Sequence, residues 1–221
     1  MNPITRVLRP VVTVTLYLLV QGCAPAIDDR GEDVISTDPI LLNDSQRARQ
    51  LPPFSDLWAC YQENSLGSVQ DVKDRLGGEV NDDWITNTCA IRMSAALNCA
   101  GFEIPRDVPG LHTINGQYGP SGPAYAYRVS ELSNYLWAAV GSPNLISAEE
   151  NDFAGKRGII KFQLSGSTEY TGHFDLWDGA EAAYSADWGE ETQLWMPVEQ
   201  LQPQYPDPST DGSWPTSDDW Y

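Results

Sequence analysis

Cys89 has the residue type and the setting of a nucleophile. It lies near the start of segment 87–101 (NTCAIRMSAALNCAG), in which apolar residues recur at helical spacing. Asn87 or Thr88 can cap this predicted helix, and Gly101 ends it. A thiol in the first turn of a helix feels the positive end of the helix dipole, which stabilises the thiolate. The alternative is a small core residue, because free cysteines are among the most buried side chains.

His173 is the candidate base for such a thiol, since a thiol nucleophile needs a base within hydrogen-bonding reach. It belongs to segment 172–179 (GHFDLWDG), where β-forming residues end in an Asp-Gly turn and predict a strand. A lone strand histidine is more often a hydrogen-bonded core residue, and the residues by themselves favour that role. The other histidine, His112, lies in the Gly- and Pro-rich region 101–126, which is predicted to form one wall of a cleft.

The net charge and the motifs of the sequence argue against several classes of ligand. Thirteen Lys and Arg residues against 31 Asp and Glu residues give a formal net charge of −18. Such a surface repels phosphate backbones, so nucleic-acid binding is not expected. The sequence has two histidines, no CxxC or HExxH spacing and no Gly-rich phosphate loop. We therefore expect neither a metal site nor a cofactor.

The first 22 residues have the pattern of an export signal. Arg6 and Arg9 precede an apolar run over residues 11–20, which is too short to span a membrane. Cys23 then resembles the lipobox cysteine of bacterial lipoproteins, where acylation would anchor the chain to the membrane; plain secretion is the alternative. Residues 23–52 are acidic and poor in aromatic residues, so a disordered tether is predicted.

One globular domain is predicted over residues 53–201, followed by a weakly ordered Pro-, Asp- and Trp-rich tail over 202–221. The predicted helices cover 55–61, 68–76, 88–100 and 131–140. The predicted strands cover 158–164, 172–179, 182–187 and 193–197. Helices that precede the strands of an antiparallel sheet are typical of an α+β fold.

The segments around Cys89 and His173 also resemble a known family. Residues 87–94 (NTCAIRMS) and 172–179, with smaller matches across the predicted domain, are similar to the fourth family of type VI secretion amidase effectors. The resemblance implies a papain-like, NlpC-related fold, with the cysteine at a helix N-terminus packed on an antiparallel sheet that carries the histidine. It implies a peptidoglycan amidase that hydrolyses the amide between D-glutamate and meso-diaminopimelate in stem peptides. Cys89 would be the nucleophile and His173 the base.

The same resemblance implies a third residue and a partner. An acid on the strand after the histidine strand would orient the ring; Asp187 is the best match, and Asp175, on the same strand face as His173, is the alternative. A cognate inhibitor, or immunity protein, is an expected partner beside the peptidoglycan stem peptide.

The export signal departs from the family. We therefore expect a periplasmic or cell-surface lipoprotein, or else a secreted protein. Two other functions stay open: a non-catalytic peptidoglycan-binding lipoprotein, and an acyltransferase on the same fold.

Two cysteines remain once Cys23 and Cys89 have these roles. In an exported protein, Cys60 and Cys99 are expected to form a disulfide. Closing a loop of about 40 residues would stabilise the fold by roughly 4 kcal/mol in the chain-entropy model. Arg92 and Arg128 flank predicted helices, where salt bridges are expected and contact with stem-peptide carboxylates is the alternative.

Overall fold

The computed structural model describes residues 39–163, 172–185, 188 and 191–201. The predicted signal over 1–22, Cys23, Asp187 and the tail over 202–221 lie outside the described residues. Helices come first in the chain and the larger sheet comes last, as the α+β prediction requires. The helices are α1 (Phe54–Asn64), α2 (Val69–Leu76), α3 (Cys89–Cys99), α4 (Val129–Ala139) and α5 (Val198–Leu201). The strands are β1 (Thr113–Asn115), β2 (Ala124–Ala126), β3 (Leu145–Ser147), β4 (Gly158–Gln163), β5 (His173–Trp177) and β6 (Glu191–Trp195).

The larger sheet is fully antiparallel, with strand order β3-β6-β4-β5. The edge strand β5 pairs with β4 so that His173 lies opposite Phe162. The predicted strand over 182–187 is replaced, within its described part, by a single bridge between Trp177 and Ala182. The region 101–126, predicted as loop, contains the short antiparallel pair β1-β2. Strands of three residues are too short to show a clear alternation in sequence.

The helix α3 is the centre of the core. All nine residues from Cys89 to Leu97 are buried. The helix packs against α1, β2 and β5, and it also contacts α4. Burial on every side explains why its sequence is apolar and small-residue-rich rather than amphipathic. A disulfide between Cys60 and Cys99, with an S–S distance of 2.06 Å, joins α1 to the C-terminal end of α3.

The predicted disordered tether over 23–52 extends too far toward the domain. Residues 39–52 are described, and Leu42 and Leu51 are 7% and 5% exposed within the main hydrophobic cluster. The backbone N–H of Arg49 donates to the carbonyl oxygen of Ala139 at 2.8 Å. The composition of the segment is acidic, but two leucines at its ends are enough to hold it on the domain because each buries apolar surface.

No helix in the described part of the chain is both long enough and apolar enough to cross a membrane.

Lys161 is a buried charge within the sheet. It lies on β4, is 7% exposed, and its ammonium group contacts Gln163 Oε1 at 3.4 Å. Burial lowers the pKa of Lys161, and the carboxylate of Glu191 opposes this in part. In the unfolded chain the lysine holds its proton up to about pH 10.5. Between the lowered pKa of the folded state and about pH 10.5, the unfolded state therefore binds more protons than the folded state, and stability rises with pH over that range.

The Lys161→Met variant is expected to remove this pH dependence. Its free energy of unfolding near neutral pH should equal or exceed that of the wild type, because a neutral side chain fills the site without the cost of a buried charge. The wild type should gain stability as the pH rises toward about 10.5, the pKa of the lysine in the unfolded chain, and the variant should not. Urea unfolding at several pH values measures both. Lys156→Met is the control, since the Lys156 ammonium lies at the surface. Parallel slopes for wild type and Lys161→Met would contradict the prediction.

Candidate active site

The N-terminus of α3 presents Cys89 as its first residue, with a fully buried side chain. The backbone N–H of Cys89 donates to Asn87 Oδ1 at 2.9 Å. Thr88 occupies the N-cap position without a side-chain bond to the helix backbone, and its hydroxyl accepts from Arg92 Nε at 2.9 Å instead. Of the two predicted caps, Asn87 is therefore the one that satisfies an orphan N–H. This N–H is therefore hydrogen-bonded to a side chain within the same turn.

The sulfur of Cys89 and the imidazole of His173 are in direct contact. Cys89 Sγ lies 3.0 Å from Nδ1 of His173. His173 is fully buried as the first residue of β5, and its ring stacks on Phe162 with an interplanar angle of 11°. The β4-β5 register places these two rings side by side. The sheet thus fixes the plane of the imidazole, and the packing of α3 on β5 brings the sulfur to it.

The oxidation state of Cys89 decides whether its sulfur can act as a nucleophile. Cys89 is disulfide-bonded. No other cysteine of the described part is its partner, because Cys60 and Cys99 are bonded to each other. Nucleophilic attack needs the thiolate. The chemistry considered below is therefore that of the reduced Cys89.

Among the described residues, two groups face the second imidazole nitrogen. His173 Nε2 lies 3.2 Å from Ser185 Oγ and 3.6 Å from Asp175 Oδ2. The carboxylate of Asp175 is buried and accepts three backbone N–H groups: Leu176 at 2.8 Å, Tyr184 at 2.9 Å and Ser185 at 2.8 Å. These donors fix the carboxylate in place and compensate its burial. Asp175 and His173 therefore lie together as one of the two sequence-based alternatives requires.

Tyr61 was not singled out from the sequence, but its hydroxyl interacts electrostatically with the carboxylate of Asp175. Burial, followed by the negative charge of Asp175, raises the pKa of Tyr61 well above its ordinary value. The Tyr61 hydroxyl has no hydrogen-bond partner of normal geometry among the described residues. Its interaction with Asp175 is therefore electrostatic.

Ser185 was also missed from the sequence, because a serine in a turn carries no pattern that points to a histidine elsewhere in the fold.

His112 lies in a different cluster. Its Nδ1 contacts the carboxylate of Glu131 at 2.8 Å, and Arg128 donates to the same carboxylate at 2.8 Å. Glu131 is fully buried, whereas the His112 side chain is 55% exposed. The cluster holds the start of α4, so the salt bridge predicted for Arg128 is present. The described residues contain no group of three His, Cys, Asp or Glu side chains placed to hold a metal ion.

The chain matches a known protein family and solved structures of its members. The family model "Type VI secretion system (T6SS), amidase effector protein 4" matches residues 85–196. The effector Tae4 from Salmonella typhimurium, solved in complex with the immunity protein Tai4 from Enterobacter cloacae, is 31% identical with a TM-score of 0.60. That match covers 66% of this chain and 98% of the effector. The search of curated proteins gave no match.

A second species gives the same result. Tae4 from Enterobacter cloacae, solved in complex with Tai4, is 27% identical with a TM-score of 0.60, and the match covers 66% of this chain and 98% of that one. The same effector solved alone is 28% identical over 96% of its length, again with a TM-score of 0.60. The fold therefore matches that of solved effectors over nearly their whole length. The chain belongs to the type VI secretion system amidase effector 4 family, whose members are peptidoglycan amidases.

Proposed function

We propose that this protein cleaves peptidoglycan stem peptides by cysteine catalysis, with Cys89 as nucleophile and His173 as general base. The observation that carries the proposal is the 3.0 Å contact between Cys89 Sγ and His173 Nδ1 at the N-terminus of a buried helix. Thiol attack on an amide requires a soft nucleophile and an adjacent base, and a helix dipole favours it further by stabilising the thiolate.

The reaction follows from the two contacts of the imidazole. Nδ1 of His173 takes the thiol proton, and the thiolate of Cys89 attacks the amide carbonyl to give a tetrahedral intermediate. The C–N bond then breaks, and the imidazolium returns its proton to the leaving amine. A thioester on Cys89 remains. Water activated by the same imidazole cleaves the thioester, which releases a carboxylate and restores the thiol.

We further propose Asp175 as the acid that orients His173. Its carboxylate lies on the Nε2 side of the ring and is fixed by three N–H donors, so it can hold the tautomer in which Nδ1 accepts the thiol proton. Ser185 Oγ, which lies 3.2 Å from Nε2, can accept a hydrogen bond from the same Nε2–H. Asp187, the residue that best matches the family pattern, stays the alternative and is tested below.

The proposed scissile bond is the amide between D-glutamate and meso-diaminopimelate, which is supported by family membership. Cleavage there frees the α-amino group of diaminopimelate. Purified sacculi treated with the reduced protein and then with an amine-reactive dinitrophenyl label should give doubly labelled diaminopimelate after acid hydrolysis, whereas sacculi without enzyme take up label only on the second amino group of stems that are not cross-linked. Labelled alanine would place the cut elsewhere. Fragments that carry an added amine in place of the new carboxylate would show acyl transfer rather than hydrolysis.

We propose that the protein acts outside its own cytoplasm, anchored through an acylated Cys23. The support is the sequence pattern of residues 1–23. Acylation turns the Cys23 sulfur into a thioether, which cannot also form a disulfide. The mass of the mature protein therefore distinguishes the states: a lipid adduct that survives reduction supports the anchor, and an unmodified Cys23 that becomes alkylatable on reduction contradicts it.

A cognate inhibitor is a proposed partner, because the solved relatives include effector–immunity complexes. Co-purification of the tagged, full-length protein from its native host should recover a stoichiometric second protein that blocks sacculus digestion. Full activity of the complex would contradict an immunity role.

A further inference from the structure

We propose that Arg92 is a positioning residue of this site: its guanidinium joins the N-terminal turn of α3 to the segment 184–185, which borders His173. The proposal rests on the proposed roles of Cys89 and His173. Its test below measures the cysteine directly and needs no peptidoglycan, so the two proposals can fail separately.

The first half of the connection is a set of hydrogen bonds around the start of α3. Arg92 lies about one turn after Cys89 and is 1% exposed. Its Nε donates to Thr88 Oγ1 at 2.9 Å, next to the nucleophile in the chain. Its two terminal nitrogens donate to the carbonyl oxygens of Ser65 and Gly67, the latter at 2.8 Å. The guanidinium therefore fastens the turn that carries Cys89 to the loop between α1 and α2.

The second half is a stacking contact. The guanidinium carbon of Arg92 lies 4.6 Å from the ring centroid of Tyr184. The backbone N–H groups of Tyr184 and Ser185 are the donors that hold Asp175 Oδ2. Ser185 Oγ also contacts His173 Nε2 at 3.2 Å. The Arg92 guanidinium thus contacts both the turn of α3 that carries Cys89 and the segment 184–185, which borders His173.

Burying the Arg92 guanidinium costs free energy, which indicates that the charged group does more than fill space. Among the described residues, all hydrogen-bond acceptors of Arg92 are neutral oxygens and no carboxylate forms an ion pair with it. Burial lowers the pKa of Arg92, while the nearby Tyr61, Tyr184 and Asp175 oppose the shift. A buried cation without a direct counter-ion is expensive compared with an apolar side chain of similar size. Only a guanidinium offers several fixed donors and a flat face at once.

The test is the pH dependence of Cys89 alkylation in the reduced full-length protein. Iodoacetamide reacts with thiolate, and mass spectrometry of the peptide that carries Cys89 gives the rate at that residue alone. In the wild type, the thiolate–imidazolium pair should keep Cys89 reactive at about pH 6, well below the ordinary thiol pKa of about 8.5. Arg92→Met is expected to lower this rate at least tenfold at about pH 6 and to leave the rate at about pH 9.5 unchanged. Arg92→Lys should behave similarly, because an ammonium cannot make these contacts together.

Arg49→Met is the matched control. Arg49 likewise donates to a backbone carbonyl, that of Glu103, and its guanidinium carbon lies 3.6 Å from the centroid of Phe102. Its contacts do not touch the site, so its loss should reduce stability without changing the alkylation profile. A wild-type profile in folded Arg92→Met would overturn the proposal, and so would equal changes in both variants.

Two milder variants keep the test decisive if Arg92→Met does not fold. Thr88→Val removes the acceptor of Nε, and Tyr184→Leu removes the stacking ring from a side chain that is 38% exposed. Each should shift the profile in the same direction by a smaller amount. Unchanged profiles in both would overturn the proposal. A shifted profile in a protein that digests no sacculi would support the role of Arg92 and reject the proposed function.

Discussion

Replacing His173 with glutamine is expected to lower kcat for stem-peptide cleavage by roughly 10⁴-fold. The imidazole lies 3.0 Å from the sulfur, and no other base in the described part of the chain contacts it. Without the imidazole, the thiol must ionise unaided and the leaving amine has no proton donor. The rate of fragment release from sacculi, at saturating substrate and with reduced protein, measures the effect.

His112→Gln is the matched control for this prediction. It removes the chain's other histidine, whose ring contacts Glu131 and Arg128 rather than the sulfur. We expect activity within about twofold of the wild type, since surface substitutions away from such a site have small effects. Comparable losses in the two variants would contradict the assignment of His173 as the base.

Asp175→Asn should lower kcat by roughly 10² to 10⁴-fold, with a smaller effect on KM. The amide keeps one oxygen for the backbone donors but loses the negative charge beside His173 Nε2. The imidazolium that forms during attack is then less stabilised, and the tautomer with a proton on Nε2 is less favoured. Steady-state rates on a soluble stem peptide separate kcat from KM.

Two further substitutions make this result specific. Asp178→Asn is a control, because Asp178 also accepts backbone N–H groups, from Ala180 and Glu181, in a turn away from the histidine. It should retain near-wild-type activity. Asp187→Asn tests the alternative from the family pattern. A large loss in Asp187→Asn with little loss in Asp175→Asn would transfer the orienting role to Asp187.

The helix that carries Cys89 and the strand that carries His173 were predictable because each lies in a strong local pattern, whereas the proposed roles of the two residues came from the family resemblance. The run 87–101 has helical spacing, a cap and a glycine stop, and 172–179 is a strand bounded by glycines. Their contact is not local, however. It depends on the packing of α3 against β5 and on the pairing of Phe162 with His173, which no short stretch encodes.

The residues around Cys89 and His173 were harder to predict from the sequence, because their contacts also depend on tertiary structure. Arg92 was expected to form a salt bridge or to bind a substrate carboxylate; among the described residues it is instead buried and bonded to neutral oxygens. Ser185 and Tyr61 reach the site only through tertiary structure. The tether prediction failed in its last part because average composition hides single anchoring residues such as Leu42 and Leu51.

The most direct measurement of the central claim is the release of soluble muropeptides from purified sacculi by reduced wild-type and Cys89→Ala proteins, followed by mass spectrometry. The wild type should release fragments cut between D-glutamate and diaminopimelate. Cys89→Ala, shown to be folded, should release no more than a sample without enzyme. The same fragments released at similar rates by both proteins would contradict Cys89 as the nucleophile.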